Sequence, residues 1–298
     1  MVSGDSAGLD VVVVAYGPPD VLAGALAALG QGYPTVVVDN SSSPATAAVV
    51  SAAGARYVDP GANLGFAAGV NVGLECLADP TRDVLLLNPD ARITPDALDR
   101  LHHELQARPR VACVAPAQHT PGSAASARAR WPWHTPAGAW AEAVGLTRRR
   151  LRSSRYFLAG SILLLRKTAL AEVGTFDERY FLYSEDEDWQ RRALACGWQV
   201  HFCPDVAAEH AAGGTESDRT RLQLRLHAAI ERYIRKWYGP GGWVLYRAGT
   251  LFGQALRCAA YRGARRRSAL RLLGLYLHGP DRSAQRAGAV PALRRLQP

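Results

Sequence analysis

The chain has 298 residues, with 35 Lys+Arg against 26 Asp+Glu, a formal charge of +9 and 48% apolar residues. That length allows one large α/β domain or two smaller ones, and the apolar content excludes disorder along most of the chain. Five scattered cysteines (Cys76, Cys113, Cys196, Cys203, Cys258) without a C-x-x-C pair argue against a disulfide framework or a zinc site and fit a reducing cytoplasm.

In chain order, Met1–Asp10 shows neither the basic nor the apolar run of a secretory signal. Leu9–Ala15 and Thr35–Val38 are continuous β-branched runs, as expected of strands covered on both faces. Asp20–Leu29 between them has helix length and closes on Gly30. A strand is expected at Ala55–Val58, a helix around Ala67–Leu77 and a strand at Asp83–Leu87. Thr94 and Pro95 read as an N-cap and first helical residue, opening a helix to about Ala107. Further strands are expected at Val111–Ala115, Gly160–Arg166 and Gln199–Cys203. This alternation predicts an α/β fold with a mostly parallel sheet flanked by helices. Ligands in such sheets bind beyond the carboxyl ends of the strands.

Two segments break the alternation. Gln118–Arg155 is rich in Ala, Pro, Ser, Arg and Trp, and long excursions in compact domains are often functional. From Arg219 to Pro298 there are 17 Lys+Arg against two acids, Glu231 and Asp281, a net +15, so the remainder is −6. The expected division is therefore an α/β body at 1–218, which the resemblance below makes the catalytic domain, and a basic, amphipathic helical extension at 219–298.

The residues just beyond each strand supply the chemistry. Asp39-Asn40-Ser41-Ser42 succeeds the second strand and reads equally as a turn, since such side chains bond their own backbone. Asn63–Asn71 has glycines that admit close backbone approach, and a helix start there could face a phosphate, although G-x-G-x-x-G is absent. The fourth strand runs into Asn88-Pro89-Asp90, where a carboxylate is placed to hold a hard cation. The densest cluster is Asp177–Trp189, in which Glu185, Asp186, Glu187 and Asp188 stand among aromatic residues. A helix start with Asp186 as N-cap accounts for part of it, with Asp188 paired to Arg191 and Arg192. Glu209-His210 comes after the last expected strand.

Five segments in order resemble one family. Val36–Ser42, Asn63–Leu74, Leu85–Ala91, Gly174–Arg192 and Pro204–His210 are similar to glycosyltransferase family 2, the nucleotide-sugar-dependent inverting enzymes of GT-A fold, and to its rhamnosyltransferase-like branch. The resemblance implies that Asp39 receives the nucleobase, with Ala15 and Tyr16 lining the same pocket. It puts Asn63, Gly65, Gly69, Asn71 and Asn88 on the nucleotide and donor-sugar side. Asp90 ends the Asp-x-Asp metal motif, whose first acid is Asn88 here, and His210 completes the shell of a Mn2+ or Mg2+ ion. By the same resemblance Asp186 corresponds to the catalytic base, with Glu185 beside it. An acceptor hydroxyl needs such a base, and neighbouring carboxylates raise its pKa towards a useful value.

Acceptor contacts are expected from Trp131, Trp133, Tyr183 and Trp189, with Trp140 and the basic run Arg148–Arg150, Arg152 and Arg155 beside them. In the extension, Trp243, Leu251, Phe252 and Leu256 with flanking arginines suggest a helix lying at a membrane interface; the alternative is a helix packed on the domain or on a partner subunit, as in a homodimer. No recognisable nucleic-acid module is present. The expected activity is metal-assisted transfer of a sugar, such as rhamnose, from a nucleoside diphosphate to a saccharide or lipid-linked saccharide. The expected place is the cytoplasm, at the inner face of the plasma membrane if the extension binds lipid. Transfer to a small natural-product acceptor and a silent nucleotide-sugar-binding scaffold are the alternatives.

Overall fold

The computed structural model describes residues 8–122, 126–127, 129–146, 156–211 and 218–291. Two compact units emerge. One comprises Met1–Trp131, Phe157–Glu178 and Glu185–Ser217; the other comprises Pro132–Tyr156, Arg179–Ser184 and Asp218–Pro298. The second unit thus gathers two earlier segments as well as the C-terminal one.

The first unit is built on a nine-stranded sheet. Strands β1 (Leu9–Ala15), β2 (Thr35–Asp39), β3 (Arg56–Val58) and β4 (Asp83–Leu87) are parallel, in the order β3-β2-β1-β4. The short β5 (Ala91–Arg92) comes next in the chain, then β6 (Val111–His119) and β7 (Ser126–Ala127), which pairs with β6. β8 (Arg130–Pro132) and β9 (Tyr156–Leu158) form a separate ribbon. β10 (Ile162–Leu165) runs antiparallel between β4 and β6, and β11 (Gln199–His210) runs parallel to β6 with β5 on its outer edge.

The helices are α1 (Pro19–Leu29), α2 (Pro44–Ala52), α3 (Phe66–Glu75), α4 (Pro95–Gln106), α5 (Pro136–Ala143), α6 (Lys167–Val173) and α7 (Glu185–Ala195). α8 (Arg219–Ala260), α9 (Gly263–His278) and α10 (Pro280–Arg286) complete the chain. Thr94 caps α4 by accepting from the Ala97 amide, as its sequence predicts. α8 breaks at Gly239 (φ 68°, ψ −174°), just before Pro240, which cannot donate an amide to the helix.

β1 reads as an unbroken apolar run because both of its faces are covered. Val11 and Val13 enter the main core with Leu22, Leu26 and Leu98. On the opposite face, a Cβ at Gly69 would lie 2.8 Å from Val14, and one at Gly73 only 2.4 Å from Val12. The glycines of α3 therefore exist to let helix and strand touch.

Several expected boundaries shift. β11 continues past Cys203 to His210, with a register shift between Cys203 and Ala207 that absorbs Pro204 and Asp205. α7 begins at Glu185, so Asp186 lies inside its first turn rather than at the N-cap.

The second unit is helical, with an aromatic core of Tyr180, Tyr233, Trp243, Tyr246 and Tyr276. Trp243 and the half-buried Leu251 belong to this core and are not on an open interface face. Among the described residues, no helix is long and apolar enough to cross a membrane.

Candidate active site

The site lies at one edge of the first unit's sheet, where β1, β2, β4, β6 and β11 end and β10 begins. Most of the residues singled out in the sequence come just after these ends, for the same topological reason.

After β1 and β2, Ala15 is buried and Tyr16 is exposed. The Asn40 amide donates to the Ala15 carbonyl (2.9 Å), joining the two ends. Asp39 is fully buried, and its carboxylate accepts from the Ser41 and Ser43 amides (2.9 and 2.8 Å) and from the Tyr57 hydroxyl (3.0 Å). Asp39 thus builds the turn itself; of a carboxylate's roughly four lone-pair positions, about one is left for a ligand edge. The Tyr57 hydroxyl is held above its usual range, chiefly by burial and then by its bond to Asp39.

Asn40 was not singled out in the sequence, yet it ties β2 to the glycine-rich loop. Its Nδ2 donates to the Gly65 carbonyl (2.9 Å) and its Oδ1 accepts from the Leu64 amide (3.3 Å). Asn63 folds the same loop by accepting from the Gly65 amide (3.0 Å), and Gly65 takes φ 82° at the start of α3. Gly69 and Asn71 have structural contacts. Gly69 packs on Val14, while the Asn71 amide group binds both backbone ends of Phe176 and Glu178 Oε1, each at 2.9 Å.

After β4, Asp90 Oδ1 and His210 Nε2 stand 3.2 Å apart, Asp90 buried and His210 mostly so. The Ala211 amide donates to the Asp90 carbonyl (3.0 Å), and β5 pairs Ala91 with His210. Two residues that are 120 apart in the chain by number are thereby brought into contact by one β bridge. The carboxylate oxygen suits Mn2+ or Mg2+, and the imidazole nitrogen beside it fits a transition ion such as Mn2+ better than Mg2+. Glu104, His201 and Cys203 also offer ligand atoms within 4.8 Å of one another, but Arg108 already pairs with Glu104 at 2.6 Å.

The segment entering β10 links this pair to α7. Ser161 accepts from the Asn88 amide (2.9 Å) while its neighbour Gly160 donates to Asp186 Oδ2 (2.8 Å). A Cβ at Gly160 would approach the Asp186 Cβ to 3.3 Å, so a small residue there lets Asp186 sit close. Asp186 Oδ1 accepts from the Glu187 amide (2.7 Å). Gln190, buried on the next turn, exchanges bonds with both backbone ends of Leu158 (2.8 and 2.7 Å) and fixes α7 to β9. Neither Gly160 nor Gln190 was visible from its own position in the sequence.

Asp186 keeps part of its surface open but is densely surrounded. Burial pushes its pKa up to about 6, against the lowering effect of the Gly160 and Glu187 amides; the Glu187 charge adds a smaller upward push. Neighbouring charge, expected as the main cause, is secondary to desolvation. Glu185 is buried, and burial followed by the Asp186 charge drives its pKa well above the carboxylate range. Its Oε2 has no hydrogen-bond partner among the described residues.

The aromatic candidates divide. Trp189 is fully buried, donates Nε1–H to the Gly174 carbonyl (2.8 Å) and stacks on Phe176 at 5.9 Å. It is part of the core and has no face to offer an acceptor, which corrects that expectation. Trp131 is exposed. Trp133 and Tyr183 pack against the aromatic core of the second unit. Trp140 sits in that unit too, with Nε1–H donated to the Leu245 carbonyl (3.1 Å). Arg148–Arg150, Arg152 and Arg155 lie outside the described residues.

Comparison with known proteins gives the same direction. The chain is 29% identical over 300 residues to an N-acetylglucosaminyl-diphospho-decaprenol L-rhamnosyltransferase from Mycobacterium tuberculosis, covering 87% of this chain and 96% of that protein. It is 25% identical to the low-salt glycan biosynthesis hexosyltransferase Agl10 of Haloferax volcanii, over 72% of this chain and 70% of the relative. Its fold is shared with a Pyrobaculum calidifontis mannosyltransferase solved with GDP-Man and Mn2+, at TM-score 0.57 and 16% identity, covering 92% of this chain and 82% of that one. The curled, mostly parallel sheet flanked by helices is the GT-A glycosyltransferase fold. The family described as glycosyltransferase like family 2 matches residues 7–239, and the chain belongs to it and is a glycosyltransferase.

Proposed function

We propose that this chain is an inverting glycosyltransferase that moves a sugar, with rhamnose the first donor to test, from a nucleoside diphosphate to a saccharide or lipid-linked saccharide acceptor. The observation that supports this best is the pairing of two chemistries through consecutive residues. Ser161 is bonded to the segment bearing Asp90, and Gly160 to Asp186, whose pKa is raised to about 6. The name of the Mycobacterium tuberculosis relative, a rhamnosyltransferase acting on a diphospho-decaprenol-linked sugar, supports the choice of donor and acceptor class.

In this reading Asp90 and His210 would hold a Mn2+ or Mg2+ ion, which supplies positive charge to the diphosphate as it leaves. Ala15, Tyr16, Asp39, Asn63 and Gly65 border the nucleotide, with Asn88 nearer the diphosphate. Asp186 accepts the proton of the acceptor hydroxyl while its oxygen forms a bond to the anomeric carbon. The bond from that carbon to the diphosphate oxygen breaks with its electron pair leaving on the diphosphate. Attack from the opposite side inverts the anomeric centre. Glu185 lies beside the base, where burial and the Asp186 charge favour its protonated form. Trp131, exposed in the first unit, is the aromatic side chain proposed for the acceptor.

The test is a panel of nucleoside-diphosphate sugars with Mn2+ and a polyprenyl-diphosphate-linked N-acetylglucosamine acceptor, reading nucleoside-diphosphate release and glycosylated product. Asp186→Asn is expected to lower kcat on the order of 100- to 10,000-fold, with nucleotide affinity held within about twofold. Near-parental turnover by that variant rejects Asp186 as base, and no release from any donor favours a binding scaffold.

A further inference from the structure

The half of α8 after Gly239 is exposed in an unusual way. Val244, Leu245, Phe252 and Leu256 are 64%, 56%, 43% and 44% exposed. With Ala248, Ala255 and Ala259 they fall at the spacing of one helix face, a stripe about 22 Å long at 1.5 Å per residue. The opposite face holds Trp243, Tyr246, Gly249 and Gly253 against the rest of the unit. From α5, the exposed Trp140 joins the stripe by ring contact with Phe252 at 5.6 Å.

The charge beside the stripe has one sign. Between Gly239 and Pro280 the chain contains seven arginines and no acid. Arg247 and Arg257 are used internally, binding carbonyls of Tyr276, Leu277 and Glu142. Arg262, Arg265, Arg266, Arg267 and Arg271 are exposed and make no ion pair among the described residues.

We propose that this face docks on an anionic lipid bilayer, with Val244, Leu245, Phe252 and Leu256 in the headgroup–acyl boundary and Arg262 and Arg265–Arg267 on the lipid phosphates. An apolar stripe beside unpaired arginines suits that boundary, where one partner supplies both hydrocarbon and anions. A second copy joined through the same face would bring two acid-free arginine clusters together. Nucleic acid would satisfy the arginines but leave the aliphatic stripe against polar groups. The helix lies along the surface; it does not cross it. This inference rests on the lipid-linked acceptor reading for its purpose only. Vesicle binding is read without donor or acceptor, so either can fail alone.

The test is co-sedimentation of the full chain with phosphatidylcholine vesicles, with and without phosphatidylglycerol, at low and high salt. Binding is expected with phosphatidylglycerol and should weaken as salt rises. The triple variant Arg265→Gln, Arg266→Gln, Arg267→Gln should partition about 100-fold more weakly, at the typical contribution per surface cation. Phe252→Ser with Leu256→Ser should lose the binding that remains at high salt, while circular dichroism and nucleotide affinity stay unchanged. If that pair misfolds, Val244→Ser with Leu245→Ser reads the same face one turn or more away. No binding at low salt, equal binding by the variants, or a dimer abolished by the same substitutions overturns the proposal.

Discussion

As the proposed base, Asp186 can act only once it has lost its proton, and burial makes that loss harder. With a pKa near 6, activity is expected to fall as pH drops through about 6, well above the ordinary aspartate range. A pH profile of kcat with saturating donor checks this; an acidic limb near 4 would point to a solvated carboxylate. Burial and then the Asp186 charge raise the pKa of Glu185, favouring its protonated form over the ionised one. Glu185→Gln should leave the thermal midpoint within a few degrees, since an amide of similar shape replaces an acid whose charged form burial disfavours. At the other side of the site, His210→Ala should weaken Mn2+ affinity on the order of tenfold or more, read by the paramagnetic signal of free Mn2+. Asp90, Asp186 and His210 are legible in the sequence because each stands just beyond an apolar run or beside one. Asn40 and Gln190 are not, because what makes them matter is a backbone partner 25 or 32 residues away. Trp189 misleads for a related reason: its neighbours in sequence are acids, but its neighbours in space are Phe176 and Gly174.

Among the elements, α3 shows how a motif that suggests a ligand can owe its glycines to packing. Gly73→Ala would force its new methyl into Val12, and overpacking of this kind costs roughly 1–3 kcal/mol. The expected readout is a lower denaturation midpoint with unchanged dependence on denaturant. The start of α7 holds strain instead: Tyr183 (φ 73°) and Ser184 (φ 62°) are consecutive left-handed residues other than glycine. Ser184→Gly should be tolerated, whereas Ser184→Val should lose roughly 1–3 kcal/mol, because a β-branched side chain disfavours that conformation. Strands β1 and β4 can be read to the residue from their apolar runs. The full length of β11 cannot, because Pro204 and Asp205 carry the sequence signature of a strand end while the fold accommodates them in a register shift.

On the scale of the molecule, the net charge of +9 averages an acidic body with a segment of +15 after Asp218. The structure separates these further, since the C-terminal helices share their unit with Pro132–Tyr156 and Arg179–Ser184. The charge asymmetry is legible in the sequence, but the outward face of the helix is only half so: Phe252 and Leu256 are exposed as expected, while Trp243 and Leu251 pack inward and Val244 and Leu245 take their place.

Asn71 is fastened to Phe176 and Glu178 across 105 and 107 residues of chain. During synthesis that clasp cannot close until the polypeptide beyond Glu178 has emerged, by which time β1, β2 and α3 are already available to fold. Such distant pairings form late, although their closure entropy grows only slowly with loop length. The ends of β1 and β2 are thus expected to form before α7 is set, and pulse-labelled exchange during refolding should protect Val11–Ala15 ahead of Glu187–Ala193. A chain interrupted before Phe176 would lack the partner of Asn71 and also Asp186, the proposed proton acceptor.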